Sequence, residues 1–219
     1  MSLATLSDHA GQVIVGTVQS VRSYWADSPR RIESEITLAQ VVYLKGALPG
    51  SEPTFTLIVP GGSVGQTHMQ ITDAPTFGVG EEWILFLLPT YKTFPVVGLS
   101  QGALRVLTDA SGVKRVTSAS AHPLKGIDQR GFAYFASSPV KMSEANAPKT
   151  VGAVDLRQAQ TVTRATGVQG MPLDEFLAML QPILDGSADH NLTEPAGRRV
   201  LVDYVPVPLA QSGKRVRGR

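Results

Sequence analysis

The fold is decided by the stretch Val13-Ile14-Val15-Gly16-Thr17-Val18-Gln19-Ser20-Val21-Arg22-Ser23-Tyr24-Trp25, which is rich in β-branched and aromatic residues. The next segment, Ile32-Glu33-Ser34-Glu35-Ile36-Thr37-Leu38, alternates strictly between apolar and polar residues. Such stretches are typical of strands with one buried face. Together they predict the opening hairpin of a curved antiparallel sheet, with a bulge or bend at Gly16.

Further strands follow along the chain. Thr54–Val59 predicts a third strand, and the long segment from Gly61 to about Gly80 predicts a loop. Trp83–Leu88 is apolar on both faces and predicts a central strand that is covered on both sides. A fifth strand is predicted from Phe94 to Gly98, continuing through Leu104–Leu107. The pattern favours a mainly β fold, a five-stranded OB-like Greek-key barrel with a long extension.

Two helices are predicted outside the barrel. Ser2 can cap a short N-terminal helix with Leu3, Leu6 and Ala10 on one face. A C-terminal amphipathic helix is predicted after Pro172, with a stop at Gly186 and a kink or early end at Pro182. We expect its apolar stripe to cover the exposed face of the central strand, and the stripe consists of Leu173, Phe176, Leu177, Leu180 and Leu184.

The 219 residues are divided by these patterns into four parts. We expect an OB-like barrel over 1–118, an irregular loop segment lying on the barrel over 119–170, the amphipathic helix over 171–186 and a basic tail over 187–219. The chain has no cysteine, which excludes disulfides and thiolate metal sites. No apolar stretch approaches the roughly 20 residues that a membrane helix requires.

The tail contains a predicted edge strand. Val200-Leu201-Val202-Asp203-Tyr204-Val205-Pro206-Val207 is β-branched and aromatic, with prolines that block its extension. Basic side chains precede it at Arg198 and Arg199. The hypothesis is that this strand pairs with a sheet edge of another subunit or of an assembly partner. The candidate partner-binding residues are Val200, Leu201, Val202, Tyr204, Val205, Arg198 and Arg199.

Two other functions have weaker motifs. Gly98-Leu99-Ser100-Gln101-Gly102 fits the G-x-S-x-G motif of serine hydrolases, with His122 or His190 as candidate bases. The residues after the motif predict a strand and not a helix, so the motif lacks its usual context. Tyr24 and Trp25 are surface aromatic candidates for single-stranded nucleic acid, with the basic run Lys214–Arg219 as a possible phosphate contact. A hydrolase and a nucleic-acid binder therefore stay as alternatives.

Metal and cofactor sites have no support in the pattern. The four histidines form no H-x-H or H-x-x-x-H pair, so we expect no metal and no cofactor. Pro60-Gly61-Gly62-Ser63-Val64-Gly65-Gln66 lacks the Lys-Ser/Thr of a phosphate loop, and its glycines are expected to serve positive φ angles.

Several short segments of hydrophobic residues and glycine are similar to those of a known family. These segments are Val13-Ile14-Val15-Gly16-Thr17-Val18, Val42-Tyr43-Leu44-Lys45-Gly46, Val59-Pro60-Gly61-Gly62 and Val96-Val97-Gly98. The chain resembles a family of uncharacterised exported bacterial proteins, over about residues 1–118. Their shared domain is similar to the OB-like barrel of the netrin and tissue-inhibitor-of-metalloproteinases group. The resemblance implies a barrel and export to the periplasm or the cell exterior, with the signal peptide absent from this chain. It does not extend to protease inhibition, because the inhibitors use a cysteine-led amino terminus.

The expected function is therefore a non-enzymatic exported module that binds a protein partner or assembles with itself, without a membrane span. Strand addition through the tail is the expected mode of association.

Overall fold

The first two strands form a long antiparallel ribbon. The computed structural model describes residues 1–27, 29–47, 52–91, 93–140, 164–165, 169–189 and 198–199. In it, β1 spans Gln12–Asp27 and β2 spans Arg30–Lys45. Their register shifts at three places, one of them between Val15 and Thr17, which confirms the bulge predicted at Gly16. Each shift increases the local twist, so the ribbon bends along its length.

The other strands are short. In chain order they are β3 (Thr54–Pro60), β4 (Gly62–Val64), β5 (Thr67–Met69), β6 (Glu82–Leu87), β7 (Ala103–Asp109), β8 (Lys114–Ser118), β9 (Leu124–Ile127), β10 (Ala133–Phe135), β11 (Arg164–Ala165) and β12 (Arg198–Arg199).

The main sheet has the antiparallel core order β3-β2-β1-β6-β7-β8. The two-residue strands β11 and β12 add in parallel to β7 and β3. The mainly β class is confirmed. Within the part of the chain that the structure describes, no ladder joins β3 to β7 or β8, so closure into a barrel is not observed and stays a prediction.

Two small hairpins lie where the sequence predicted loops. β4 and β5 pair within the segment 61–80, and β9 and β10 pair within 119–170.

The prediction of a strand at 94–98 is wrong. Of its residues only Val96 makes a bridge, to Leu87, and a 3-10 turn at Leu99–Gly102 separates the segment from β7.

Both predicted helices are present. α1 spans Leu3–His9, and the Ser2 hydroxyl accepts a hydrogen bond from the Thr5 N–H at 3.2 Å. α2 spans Leu173–Asp185 with Pro172 at the N-cap position. The helix continues through Pro182 for three more residues, so the expected early end is wrong. Among the described residues, neither helix is long and apolar enough to cross a membrane.

The sheet carries a buried cluster on each face, and β6 belongs to both. Ile84 and Phe86 pack in the cluster that contains α1 and α2, while Trp83, Leu85 and Leu87 pack in the opposite cluster. All five side chains are fully buried. This confirms that the strand is central and that α2 covers one of its faces, with buried contacts from Phe176, Leu180 and Leu184.

Candidate functional site

The outer edge of β3 pairs with the two residues that directly precede the predicted tail strand. The backbone of Arg198 and Arg199 pairs in parallel with β3, with Arg198 opposite Thr56 and Arg199 opposite Leu57. The other predicted partner-binding residues lie outside the described residues, and these are Val200, Leu201, Val202, Tyr204 and Val205. The backbone of Arg198 and Arg199 therefore lies on the sheet of its own chain.

The chemistry of this edge differs from that of the opposite edge. β3 reads Thr-Phe-Thr-Leu-Ile-Val-Pro and has no charged residue, whereas β8 presents Lys114 and Arg115. Natural edge strands are commonly protected from pairing with other chains by charged side chains. Among the described residues, the outer edge of β3 pairs only with the two residues of β12. The described part of the β3 edge is therefore uncharged and holds a two-residue parallel strand.

The G-x-S-x-G motif forms a bend that leads into β7. Gly98 and Leu99 both adopt the left-handed region, with φ of 58° and 57°. At Gly102 a Cβ atom would lie 2.3 Å from the Val97 carbonyl oxygen, so this close approach requires glycine. Ser100 lies between Gly98 and Gly102 in the 3-10 turn, and its N–H donates to the Asp73 carbonyl at 3.1 Å.

None of the described histidines forms a hydrogen bond with Ser100, and each has another partner. The Nδ1 atoms of His9 and His122 are 2.7 Å and 2.8 Å from the backbone oxygens of Thr5 and Ala136. The Nδ1 atom of His68 is 2.8 Å from the Ser63 hydroxyl on the β4–β5 hairpin, and His190 lies outside the described residues. In the described ranges no group of three or more histidine or acidic side chains is placed to hold a metal ion.

The Ser100 cleft is formed by two adjoining depressions that share Ser100, Ala119 and Ser120. The first has a volume of about 250 Å³ and is polar, with Asp73 in its lining. The second has a volume of about 180 Å³ and is bounded by Phe135. The cleft joins four segments that are separate in the sequence.

The aromatic candidates lie at the far end of the β1–β2 ribbon. Trp25 is 41% exposed, and the guanidinium carbon of Arg30 lies 5.4 Å from the centroid of its indole ring. Tyr24 is half-buried, and its hydroxyl donates to Glu33 at 3.1 Å. Burial, together with the neighbouring Glu33 carboxylate, raises the pKa of Tyr24.

Acidic side chains pair with two of the three arginines at this end of the ribbon. Arg22 lies 3.2 Å from Glu35, and Arg31 lies 2.6 Å from Glu33. A phosphate backbone is attracted by cations that are not already neutralised. The end of the ribbon is thus a charge-balanced surface.

No protein-family model, no curated protein and no solved structure matches this chain. Sequence patterns did not indicate β3, Asp73 or Ser120 as site residues, because only the order of strands and loops in space brings them to these sites.

Proposed function

We propose that this protein is a non-enzymatic exported module that associates with a second copy of itself or with a partner protein by strand addition. The observation that carries the proposal is the parallel pairing of Arg198 and Arg199 with the edge of β3. It supports two requirements at once, because it identifies an edge that accepts a strand and a segment that can supply one. The serine hydrolase and the nucleic-acid binder remain the rival functions.

The recognition chemistry is that of a sheet edge. Edge N–H and C=O groups supply affinity through backbone hydrogen bonds, and alternate side chains supply selectivity. The β-branched run Val200–Val207 follows Arg199 directly in the sequence, and such residues favour strands. Because donor and acceptor belong to one chain, exchange of the tail between two copies would create a symmetric dimer.

The finer fold is also a proposal. We propose that β3, β2, β1, β6 and β7 make up a five-stranded OB-like barrel. Support comes from the second buried cluster, which contains Phe55 of β3 and Ala103 of β7 together with Leu85 of β6. β3 and β7 are the outermost of these five strands, and their membership of one cluster supports a sheet that curls around it. Export is proposed on the family resemblance alone.

The test compares the full chain with a chain that ends at residue 197. Light scattering over a range of protein concentrations should show dimers for the full chain and monomers for the shortened one. A fluorescent peptide of residues 196–209 should bind the shortened chain, because its β3 edge is vacant. The full chain should bind the same peptide more weakly, because its own tail competes.

The matched control is the same peptide with alternate backbone amides N-methylated. It keeps every side chain but cannot form the ladder, so its binding should be abolished. Equal masses for the two chains, combined with no binding of the unmodified peptide, would contradict the proposal. Circular dichroism of the shortened chain establishes that the sheet is retained.

A further inference from the structure

The Ser100 cleft concentrates backbone strain. Four described non-glycine residues have positive φ, and three of them border the cleft: Asp73 at 60°, Leu99 at 57° and Ala121 at 62°. Asp73 lines the first depression, Leu99 precedes Ser100, and Ala121 follows Ser120. Left-handed non-glycine residues cost about 1–2 kcal/mol each and concentrate at ligand sites, where the surrounding structure holds them in place.

The polar groups of the cleft are available to a ligand. Among the described residues, none hydrogen bonds the Asp73 carboxylate, the Ser100 hydroxyl or the Ser120 hydroxyl. Gln70 and Thr76 add an amide and a further hydroxyl to the same depression. Hydroxyls and amides both donate and accept hydrogen bonds, while the carboxylate only accepts.

The second depression has a different character. Its lining includes Leu104 and Phe135, and it continues from the first depression across Ser100 and Ser120. Phe135 is half-buried and belongs to the rim of the cluster beneath α2, so its ring is held in place. The cleft thus joins a polar lobe to a lobe with an aromatic wall.

This combination selects the class of ligand. Of the described residues that line either depression, none is a lysine or an arginine, so the lining does not complement an anion. Asp73 is the one charged residue among these lining residues, and the other polar ones carry hydroxyls and amides, which both donate and accept hydrogen bonds. A sugar ring presents hydroxyls that both donate and accept, and its C–H face packs on an aromatic ring. We propose that the Ser100 cleft binds a neutral saccharide, with Asp73, Ser100 and Ser120 as hydrogen-bonding residues.

The test is a titration of the full chain followed by amide NMR, with cellobiose, maltose, lactose and N,N′-diacetylchitobiose as probes at millimolar concentration. At least one disaccharide should shift the amide signals of Asp73, Ser100 and Ser120. Asp73→Asn should weaken the affinity roughly tenfold, because a hydrogen bond to a charged group is lost. Asparagine tolerates the left-handed region, so this variant keeps the loop.

Asp27→Asn, at the exposed end of the ribbon, is the matched control and should bind as the unaltered chain does. Ser100→Ala should also weaken binding, which gives a second variant if Asp73→Asn fails to fold. The proposal is overturned by the absence of shifts with all four sugars, or by binding that survives both substitutions. Shifts with lysine amide but with no sugar would overturn the ligand class.

Discussion

Glu81 is the buried charge that anchors the loop preceding β6. Its side chain is 5% exposed, and its carboxylate accepts hydrogen bonds from the Gly78 N–H at 2.8 Å and the Trp83 indole N–H at 3.1 Å. The Arg105 guanidinium also donates to it and lies 5.8 Å from the centroid of a Trp83 ring. Desolvation outweighs these contacts and raises the pKa of Glu81 above its ordinary value.

The raised pKa of Glu81 determines how its contribution to the free energy of unfolding depends on pH. Because the folded pKa lies above the unfolded one, its contribution is fully present below the ordinary pKa of 4.5. The contribution is lost as the pH rises through the folded pKa. Arg105 offsets part of the desolvation, because its guanidinium favours the charged form of the carboxyl group.

Arg105→Met is therefore expected to lower the free energy of unfolding by about 3 kcal/mol at neutral pH, because it leaves the Glu81 carboxylate buried without its cation. The deficit should shrink as the pH falls towards 4.5, where the carboxyl group takes up a proton. Urea denaturation at several pH values measures both effects. The double variant Glu81→Gln/Arg105→Met is the control and should recover more than half of the loss. A double variant as unstable as Arg105→Met would show that the charge is not the cause.

Among the elements, the β4–β5 hairpin crosses the β1–β2 ribbon at unusually close range. The hydroxyls of Ser23 and Ser34 lie 2.8 Å apart on neighbouring strands, and Ser34 donates to the Gly61 carbonyl at 2.7 Å. Gly62 has a φ of +127°, and a Cβ atom there would lie 2.3 Å from the Ser34 hydroxyl. Glycine is thus required both by the backbone angle and by the space at the crossing.

Gly62→Ala should lower the free energy of unfolding by about 3 kcal/mol or more, because the methyl group collides with two serine side chains as the backbone is strained. The matched control is Gly65→Ala at the tip of the same hairpin. Its φ is +59°, but no atom of the described residues lies within 4 Å of the position that the new methyl group would take, so only backbone strain of about 1 kcal/mol is expected. Thermal unfolding of the two variants measures the difference. Equal losses would mean that the close crossing contributes nothing.

At the scale of the whole molecule, the N-terminal helix α1 and the late helix α2 meet on one face of the sheet. α1 and α2 share a buried cluster with β6, β7 and β8. The Lys45 ammonium donates to the carbonyls of Ser7 and Ala188, both at 2.7 Å, and so ties β2 to α1 and to the segment after α2. Burial lowers the pKa of Lys45. The region predicted as a barrel therefore shares its core with a helix that follows it by more than fifty residues.

Phe176→Ala should cost about 3–5 kcal/mol, because the ring is fully buried between α2 and the sheet. Met179→Ala on the same helix is the control. Met179 is 37% exposed, so its loss should stay below about 1 kcal/mol. Chemical denaturation followed by tryptophan fluorescence gives both values, since Trp83 lies in the core. A small loss for Phe176→Ala would mean that α2 does not stabilise the sheet.

Prediction from the sequence worked where one local pattern determines the structure. The alternation in β2, the bulge at Gly16 and the Ser2 cap of α1 are each encoded within a few neighbouring residues. The β4–β5 hairpin was missed because its strands are three residues long and rich in glycine, threonine and serine. The segment 94–98 was predicted as a strand because it is apolar, yet its burial comes from packing beside β6.

Side-chain periodicity was enough to predict the long ribbon, the two amphipathic helices and the double-sided burial of β6, because it decides which face is removed from water. The β-branched run Val200–Val207 also predicts a strand, and it lies outside the described residues. The pairing of Arg198 and Arg199 with β3 and the set of side chains around Ser100 follow instead from the tertiary arrangement. Both depend on the order of strands in the sheet, which brings together residues that are distant along the chain and leave no local pattern.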